Sequence, residues 1–413
     1  MTLLSLPNEL LLDVFSHFED PHLLFTLSTL CKRLHLLALP LYLSQIGVYE
    51  SLSPGVCNIT IGQHRTEALA ALQTALFLDA VQTLSCTLPH AMQLGQDVKR
   101  LARVCAALTS VNSATLHVNP RKFLDDSSGD LNPLSFVDCL NSLLEKSCSS
   151  LTVKSFRDRW TDHKSRPMRR AQQPSRVLSA AALSPAAMRA KSLSTFNIHS
   201  EILVFPHVRA WTIDVLNSFP IRALSISAPF QIEEITDILA VTEIPTLLTL
   251  ALHESRITPA QLHAFLARHP QITHLRLEKL IVPPLHERLP SRALESIVTL
   301  TAGPTHVAYL LHALNRLPST LQCIRILSYM TTVDLQGANS SLHHVVSFLA
   351  GIPDLRLVLP VPDSLPPHCA RHRPLLPRCR VGIAFRLQAG AWLSRMHHPD
   401  PAAQVAGLHR EVV

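Results

Sequence analysis

One short pattern recurs down this chain and limits what it can fold into. It is an apolar residue, two variable ones, an apolar one, a variable one and an apolar one. It stands at VQTLSC from 81, VNSATL from 111, CSSLTV from 148, LSTFNI from 193, VRAWTI from 208 and IRALSI from 221. It continues at LLTLAL from 247, ITHLRL from 272, LESIVT from 294, LQCIRI from 321 and IPDLRL from 352. Alternation of this kind predicts short strands with one buried face. From 221 onward the starts lie 26, 25, 22, 27 and 31 residues apart, a spacing that predicts a repeat. Helical stretches lie between them. In TPAQLHAFLARHP, Thr258 is placed to cap and Pro259 to occupy the first helical position. THVAYLLHALNRLP repeats the logic one unit later.

A strand and a helix of this size cannot bury their apolar faces alone, so the copies must stack. The expected class is α/β, an array of parallel strands alternating with helices. Along each strand the side chains alternate. Leu275 and Leu277 are expected to face the core, and His274, Arg276 and Glu278 to face out. The same register exposes Arg325 and Arg356. These outward positions form a candidate target-binding face.

The length, 413 residues, suits two or three domains or one elongated array. With 47% apolar and 16% charged residues, the chain is folded for most of its length. Only 11 glycines are present, and neither G-x-G-x-x-G nor G-x-x-x-x-G-K occurs, so no backbone-lined phosphate cradle is expected. H-E-x-x-H and G-x-S-x-G are missing as well. The sequence offers no catalytic constellation, and the expectation is a protein that is not an enzyme and takes no cofactor. HCARH at 368–372 with Cys379 has metal-like spacing, but no second pair completes a tetrahedral set, and no metal is expected. Nine cysteines without a C-x-x-C pair fit a reducing cytoplasm or nucleus.

The net charge of +7 belongs to one segment. Lys154 to Lys191 holds ten Lys/Arg and two Asp, a balance of +8, and the rest of the chain balances at −1. Its Pro, Gln, Ser and Arg content reads as a basic insertion at about 157–177, a solvated loop or a patch for an anionic partner centred on Arg169 and Arg170. Nucleic acid is not an expected partner, since only Trp160 is interleaved with those charges. From 391 to 413 the chain is expected to fray.

The stretch before the repeats has its own character. In LPNELLLDVFSHFEDPHLLFTLSTLCKRLH, Leu6, Leu10, Leu11, Val14, Phe15 and Phe18 form one stripe of a helix. Asp20-Pro21 predicts an N-cap and first position for a second helix with Leu23, Leu24 and Leu27, and a third is expected from about Cys31 to Ala38, before Pro40. Glu9 and Asp13 interrupt the apolar run that a secretory leader needs, and no stretch reaches the ~18 apolar residues of a membrane span. Three short helices bury too little to stand alone, so they should be docked on something else.

These residues carry a resemblance. L-P-x-E-L-L-x-x-V-F, then D-P-x-x-L-L, then S-x-x-C-K-R-L resembles an F-box, and the following LHLLALPLYL resembles F-box proteins of mushroom-type fungi. The resemblance covers about 1–48. It implies a three-helix clamp for the Skp-family adaptor of Skp–cullin–F-box (SCF) ubiquitin ligases, and through it contact with cullin. It also implies an adaptor-binding set of Leu6, Pro7, Leu10, Leu11, Val14, Phe15, Leu23, Leu27 and Cys31. One departure is Leu34, where many members carry Trp or Phe. The remainder, 49–390, resembles leucine-rich repeats, but the Asn that usually follows the strand is missing throughout, so irregular repeats are expected. Together the two resemblances imply a substrate receptor of an SCF ligase, or else an F-box scaffold or transport factor outside ubiquitination.

Overall fold

The structure is a computed structural model, and it describes residues 5–53, 55–63, 67–88, 94–119, 133–155, 182–227, 232–253, 257–278, 280, 289, 293–314, 318–327, 355–359 and 383–386. The chain divides into two compact units, Met1–Thr246 and Leu247–Val413. The segments 368–372 and 391–413 and the basic stretch from 156 to 181 lie outside the described residues.

The first unit opens with three helices, α1 (Asn8–Ser16), α2 (Pro21–Ser28) and α3 (Lys32–Gln45). Asp20 caps α2, accepting from the His22 amide at 2.9 Å, with Pro21 next to it as the sequence predicts. The third helix is longer than expected. It runs through Pro40 because Ala38, Leu39, Tyr42 and Leu43 are all buried, and their packing outweighs the lost amide hydrogen bond. It stops at Gly47, whose φ of +67° closes the helix: the Gly47 amide reaches Ser44 O at 2.8 Å and the Val48 amide reaches Leu43 O at 2.8 Å.

Seven paired strands of this unit follow in chain order, β1 (Tyr49–Ser53), β2 (Val56–Ile61), β3 (Ala80–Leu88), β4 (Ser110–Val118), β5 (Ser150–Ser155), β6 (Thr195–His199) and β7 (Ala223–Ser227). Only β1 is antiparallel; each later strand is added parallel to the one before. Helices Ala68–Thr74, Leu94–Ala107, Pro133–Glu145, Pro185–Ala190 and Pro206–Ser218 return the chain between strands. The inward rows are continuous. Ile59, Leu84, Ala114, Leu151, Phe196 and Leu224 face one another strand by strand, as do Ile61, Cys86, Leu116, Val153, Ile198 and Ile226. All are buried, at roughly 1.5–3 kcal/mol for each large side chain.

The second unit repeats the scheme with β8 (Thr249–His253), β9 (His274–Glu278), β10 (Thr299–Ala302), β11 (Cys323–Ile326) and β12 (Arg356–Leu359), parallel in chain order, and β13 (Ile383–Arg386) antiparallel at the end. Leu250, Leu275, Leu300, Ile324 and Leu357 make its inward row, with Leu277 beside them as expected. Thr258 and Gln261 form a complete capping box on the helix Pro259–Arg268. Both units are therefore irregular leucine-rich-repeat-like solenoids.

Two of the eleven sequence hits are not strands. VRAWTI lies inside the helix Pro206–Ser218, where Val208, Trp211, Thr212, Val215 and Leu216 are buried at helical spacing after Pro206. LESIVT precedes its strand: Leu294, at φ +64°, and Ile297 anchor a buried turn, and the strand begins only at Thr299. Conversely, β1 and β2 are strands beyond those eleven hits: β1 carries no hexad, whereas VCNITI of β2 matches it from Val56.

The missing Asn is replaced on the other side of the strand. In the first unit the hydroxyls of Thr109, Ser149, Ser194 and Thr246 donate to the carbonyls of Asp79, Asn112, Ser149 and Ile221, at 2.8, 2.9, 3.1 and 2.9 Å. In the second, Thr273 donates to Leu248 O at 3.1 Å and Thr320 to Ile297 O at 2.8 Å. A hydroxyl just before each of these strands thus ties one repeat to the preceding one.

Candidate functional site

The opening stripe of the first helix splits in two. Leu11 and Phe15, four residues apart, are 0% and 1% exposed and, like Leu24, Leu34, Leu39 and Leu43, belong to the interior. Leu10 and Val14, also four apart, lie beside them but outside, at 50% and 42%. Leu23 is exposed as well, Pro7 is exposed, and Leu6, Leu27 and Cys31 are half-buried. Of the set taken from the sequence, Leu11 and Phe15 are therefore internal, and a partner cannot reach them without opening the unit. Leu34, the departure from Trp or Phe, is likewise internal, 3% exposed, so its smaller size is absorbed within the chain.

Surface residues that the stripe did not predict complete the picture. Leu12, Leu30 and Leu36 are exposed, so six of the eleven exposed large apolar residues in the described chain lie between 10 and 36. A folded surface rarely gathers bare leucines this densely unless another surface covers them. The helices themselves are well fixed. Arg33 donates from Nη2 to Leu6 O at 2.6 Å and grips Asn8 Oδ1. The unit docks on the repeats: His35 pairs through Nδ1 with Ser28 O at 3.1 Å and accepts the Leu76 amide at Nε2, 3.3 Å away. The Val48 carbonyl also accepts the Thr60 amide at 2.8 Å.

In the second unit the outward rows hold the other candidates. Ala251, Arg276, Thr301, Arg325 and Val358 share one row; Thr249, His274, Thr299, Cys323 and Arg356 share the next. Arg276 and Arg325 are thus two strands apart, ~10 Å, with Thr301 between them. His274, Arg276, Arg325 and Arg356 are exposed and Glu278 is half-buried. They are not equivalent. Arg276 is clamped on Glu278 of its own strand through both Nε and Nη2, and His253 Nδ1 lies 3.0 Å from the other carboxylate oxygen. Burial alone would push the Glu278 carboxyl up; the hydrogen bonds from His253 and Arg276 outweigh it and hold the group below its ordinary value.

Comparison with known proteins agrees at the N-terminus. Residues 3–44 match the family model described as F-box-like, so the chain carries an F-box-like domain there. No curated protein matches the chain. Among solved structures it is similar to one from the Toll–Spätzle complex of Drosophila, described as a hub in development and innate immunity. That likeness has 11% identity and a TM-score of 0.33, over 68% of this chain and 32% of that one, and is too slight to bear on function. Among the described residues, no helix is long and apolar enough to cross a membrane.

Proposed function

We propose that the chain is the substrate-receptor subunit of an SCF-type ubiquitin ligase. Residues 1–48 act as the F-box that docks the Skp-family adaptor, and through it cullin. Residues 49–390 act as the recognition array, with the basic insertion at about 157–177 and the tail at 391–413 as appendages. It works in the cytoplasm or nucleus. The observation that supports this reading is the cluster of bare leucines, Leu10, Leu23, Leu30 and Leu36, on an otherwise well-packed F-box-like unit. Leu6, Pro7, Val14, Leu27 and Cys31 border that surface, and Leu11 and Phe15 shape it from within.

The protein performs no bond chemistry in this reading. It holds a protein target close to a charged ubiquitin-conjugating enzyme, raising the effective concentration of the target's lysines. The target face includes Arg325 and Arg356, with His274, Arg276 and Glu278 beside them. Co-purification tests it: adaptor and cullin recovered together support the ligase. Adaptor alone would favour a scaffold or transport factor outside ubiquitination, and recovery of neither would overturn the F-box assignment.

A further inference from the structure

Lysine is among the commonest residues of soluble proteins, yet this chain of 413 residues has 8 lysines against 29 arginines. The shortage is uneven. Met1–Thr246 holds seven lysines and 14 arginines, whereas Leu247–Val413 holds one lysine, Lys279, and 15 arginines. A general preference for arginine would thin lysine alike in both units. Equivalent places are also filled differently. On the outward strand face the first unit has Lys154 on β5, and the second has Arg276, Arg325 and Arg356 on β9, β11 and β12. At helix ends the first unit has Lys146, whose Nζ donates to Ala106 O at 2.8 Å, and Lys191, directly after the helix Pro185–Ala190. The second has Arg268 in the last turn of the helix Pro259–Arg268, its Nε donating to Ala264 O at 3.3 Å. A cation at such an end complements the helix dipole whichever residue carries it. Arg268 is exposed and belongs to a helix, not to the strand face, so target recognition does not explain the choice.

The two cations differ in what they do to a thioester. A deprotonated lysine amine attacks the carbonyl carbon that joins ubiquitin to its conjugating enzyme. The C–N bond of an isopeptide forms, the C–S bond breaks, and the sulfur leaves as a thiol with the proton the nitrogen sheds. The arginine guanidinium keeps its proton and takes no part. A receptor is tethered near the charged enzyme as its target is, so every accessible lysine on it competes for ubiquitin at high effective concentration. We propose that the second unit is depleted of lysine so that it does not accept ubiquitin while presenting a target, and that self-transfer is confined to the first unit, where Lys32, Lys99 and Lys191 are exposed. This inference rests on the ligase reading above and adds to it a bias of transfer toward the target.

The test uses the full-length parent and Arg268→Lys with Arg325→Lys, each recovered with adaptor and cullin. Ubiquitin, activating and conjugating enzymes and ATP are added, and the modified lysines are mapped by mass spectrometry. Both substitutions keep the charge, so the variant should melt as the parent does and keep the adaptor. The parent should carry ubiquitin on lysines of the first unit and little on Lys279. The variant should carry it at position 268 or 325 as well, and its self-modified fraction should roughly double. If both positions stay unmodified in a variant that melts normally, the second unit lies beyond the enzyme's reach and the proposal is overturned. Lys279 as the parent's main acceptor overturns it too. Both of these outcomes leave the ligase reading standing, whereas recovery without cullin and without transfer to any lysine overturns the two together.

Discussion

Arg33 donates from both Nε and Nη2 to a single acceptor, Oδ1 of Asn8, at 2.9 and 2.8 Å across twenty-five residues of sequence. The same guanidinium holds the Leu6 carbonyl. The C-K-R step of the third helix thus fixes the L-P-N that starts the first.

Arg33→Met keeps the apolar stem and removes the tie. The expected loss is local, ~1–3 kcal/mol of charge-assisted hydrogen bonding, spread over residues 5–45. Limited proteolysis should cut there first, and adaptor retention should fall with it. Normal protease resistance in that segment would mean the contact contributes nothing to its order.

Leu10 and Leu11 are sequence neighbours with opposite fates. Leu10→Asp places a charge on exposed surface, so the melting transition should stay within the equivalent of ~0.5 kcal/mol while adaptor recovery is lost. Leu11→Ala leaves a cavity among buried helices and should cost ~2–5 kcal/mol. Pull-down and thermal melts on the pair separate surface from interior. Full adaptor recovery with Leu10→Asp would remove this face from the interface.

Much of this architecture could be read from the chain, and the misreadings have physical causes. The hexad found nine strands because alternation and burial coincide there, as at ITHLRL. It misplaces VRAWTI because Val208, Trp211 and Thr212 satisfy a helical period too, and Pro206 just before them opens a helix. β1, with its exposed YESLS, has no buried alternation to find. The replacement for the Asn ladder was visible in principle as the Thr or Ser before the strand in TSVNSATL, SLSTFNI and ITHLRL. Such residues are common in loops, so only the structure shows that their hydroxyls bridge repeats. In the F-box, a stripe 100° wide says which residues leave solvent, and cannot say whether the chain or a partner covers them.

Trp211 meets Asn141 in the core of the first unit, its indole N–H donating to Oδ1 at 2.8 Å. The same Asn141 donates from Nδ2 to Ala182 O at 3.2 Å, where the described chain resumes after the basic stretch. Asn141→Ala would leave the buried indole without its acceptor and should cost ~1–3 kcal/mol. Deleting 157–177 leaves these partners in place and should shift the melt little, since loop length costs only ~0.6 kcal/mol per doubling. Loss of cooperative unfolding in the deletion would show that the insertion belongs to the packed array.

Glu278 sets an acid limit on the second unit. Its folded carboxyl is held below the ordinary value, so its contribution is complete above the unfolded value of 4.5 and fades as pH falls through the folded one. Glu278→Gln should therefore flatten the acid limb of a stability-versus-pH curve below about pH 5 and change little at pH 7 in slope. An acid limb as steep as the parent's would exclude Glu278 as its source.

The arginines of the second unit differ in what a charge reversal would test. Arg276→Glu would set a carboxylate beside Glu278 and lose a two-pronged pair, so any change in target capture would be mixed with a change in the strand. Arg325 lies in the same outward row, exposed, with Thr301 opposite it on β10. Arg325→Glu should alter stability by no more than ~0.5 kcal/mol and still keep the adaptor. Leu277→Ala, one step inward, is the control for damage to the array and should cost ~2–5 kcal/mol. Proximity labelling with the parent, Arg325→Glu and Arg325→Glu with Arg356→Glu should show a progressive loss of the same labelled proteins. Arginine suits this task because its planar fork meets carboxylate or phosphate with two parallel hydrogen bonds. An unchanged set of labelled proteins, from variants that melt as the parent does, would move target recognition off the strands of the second unit.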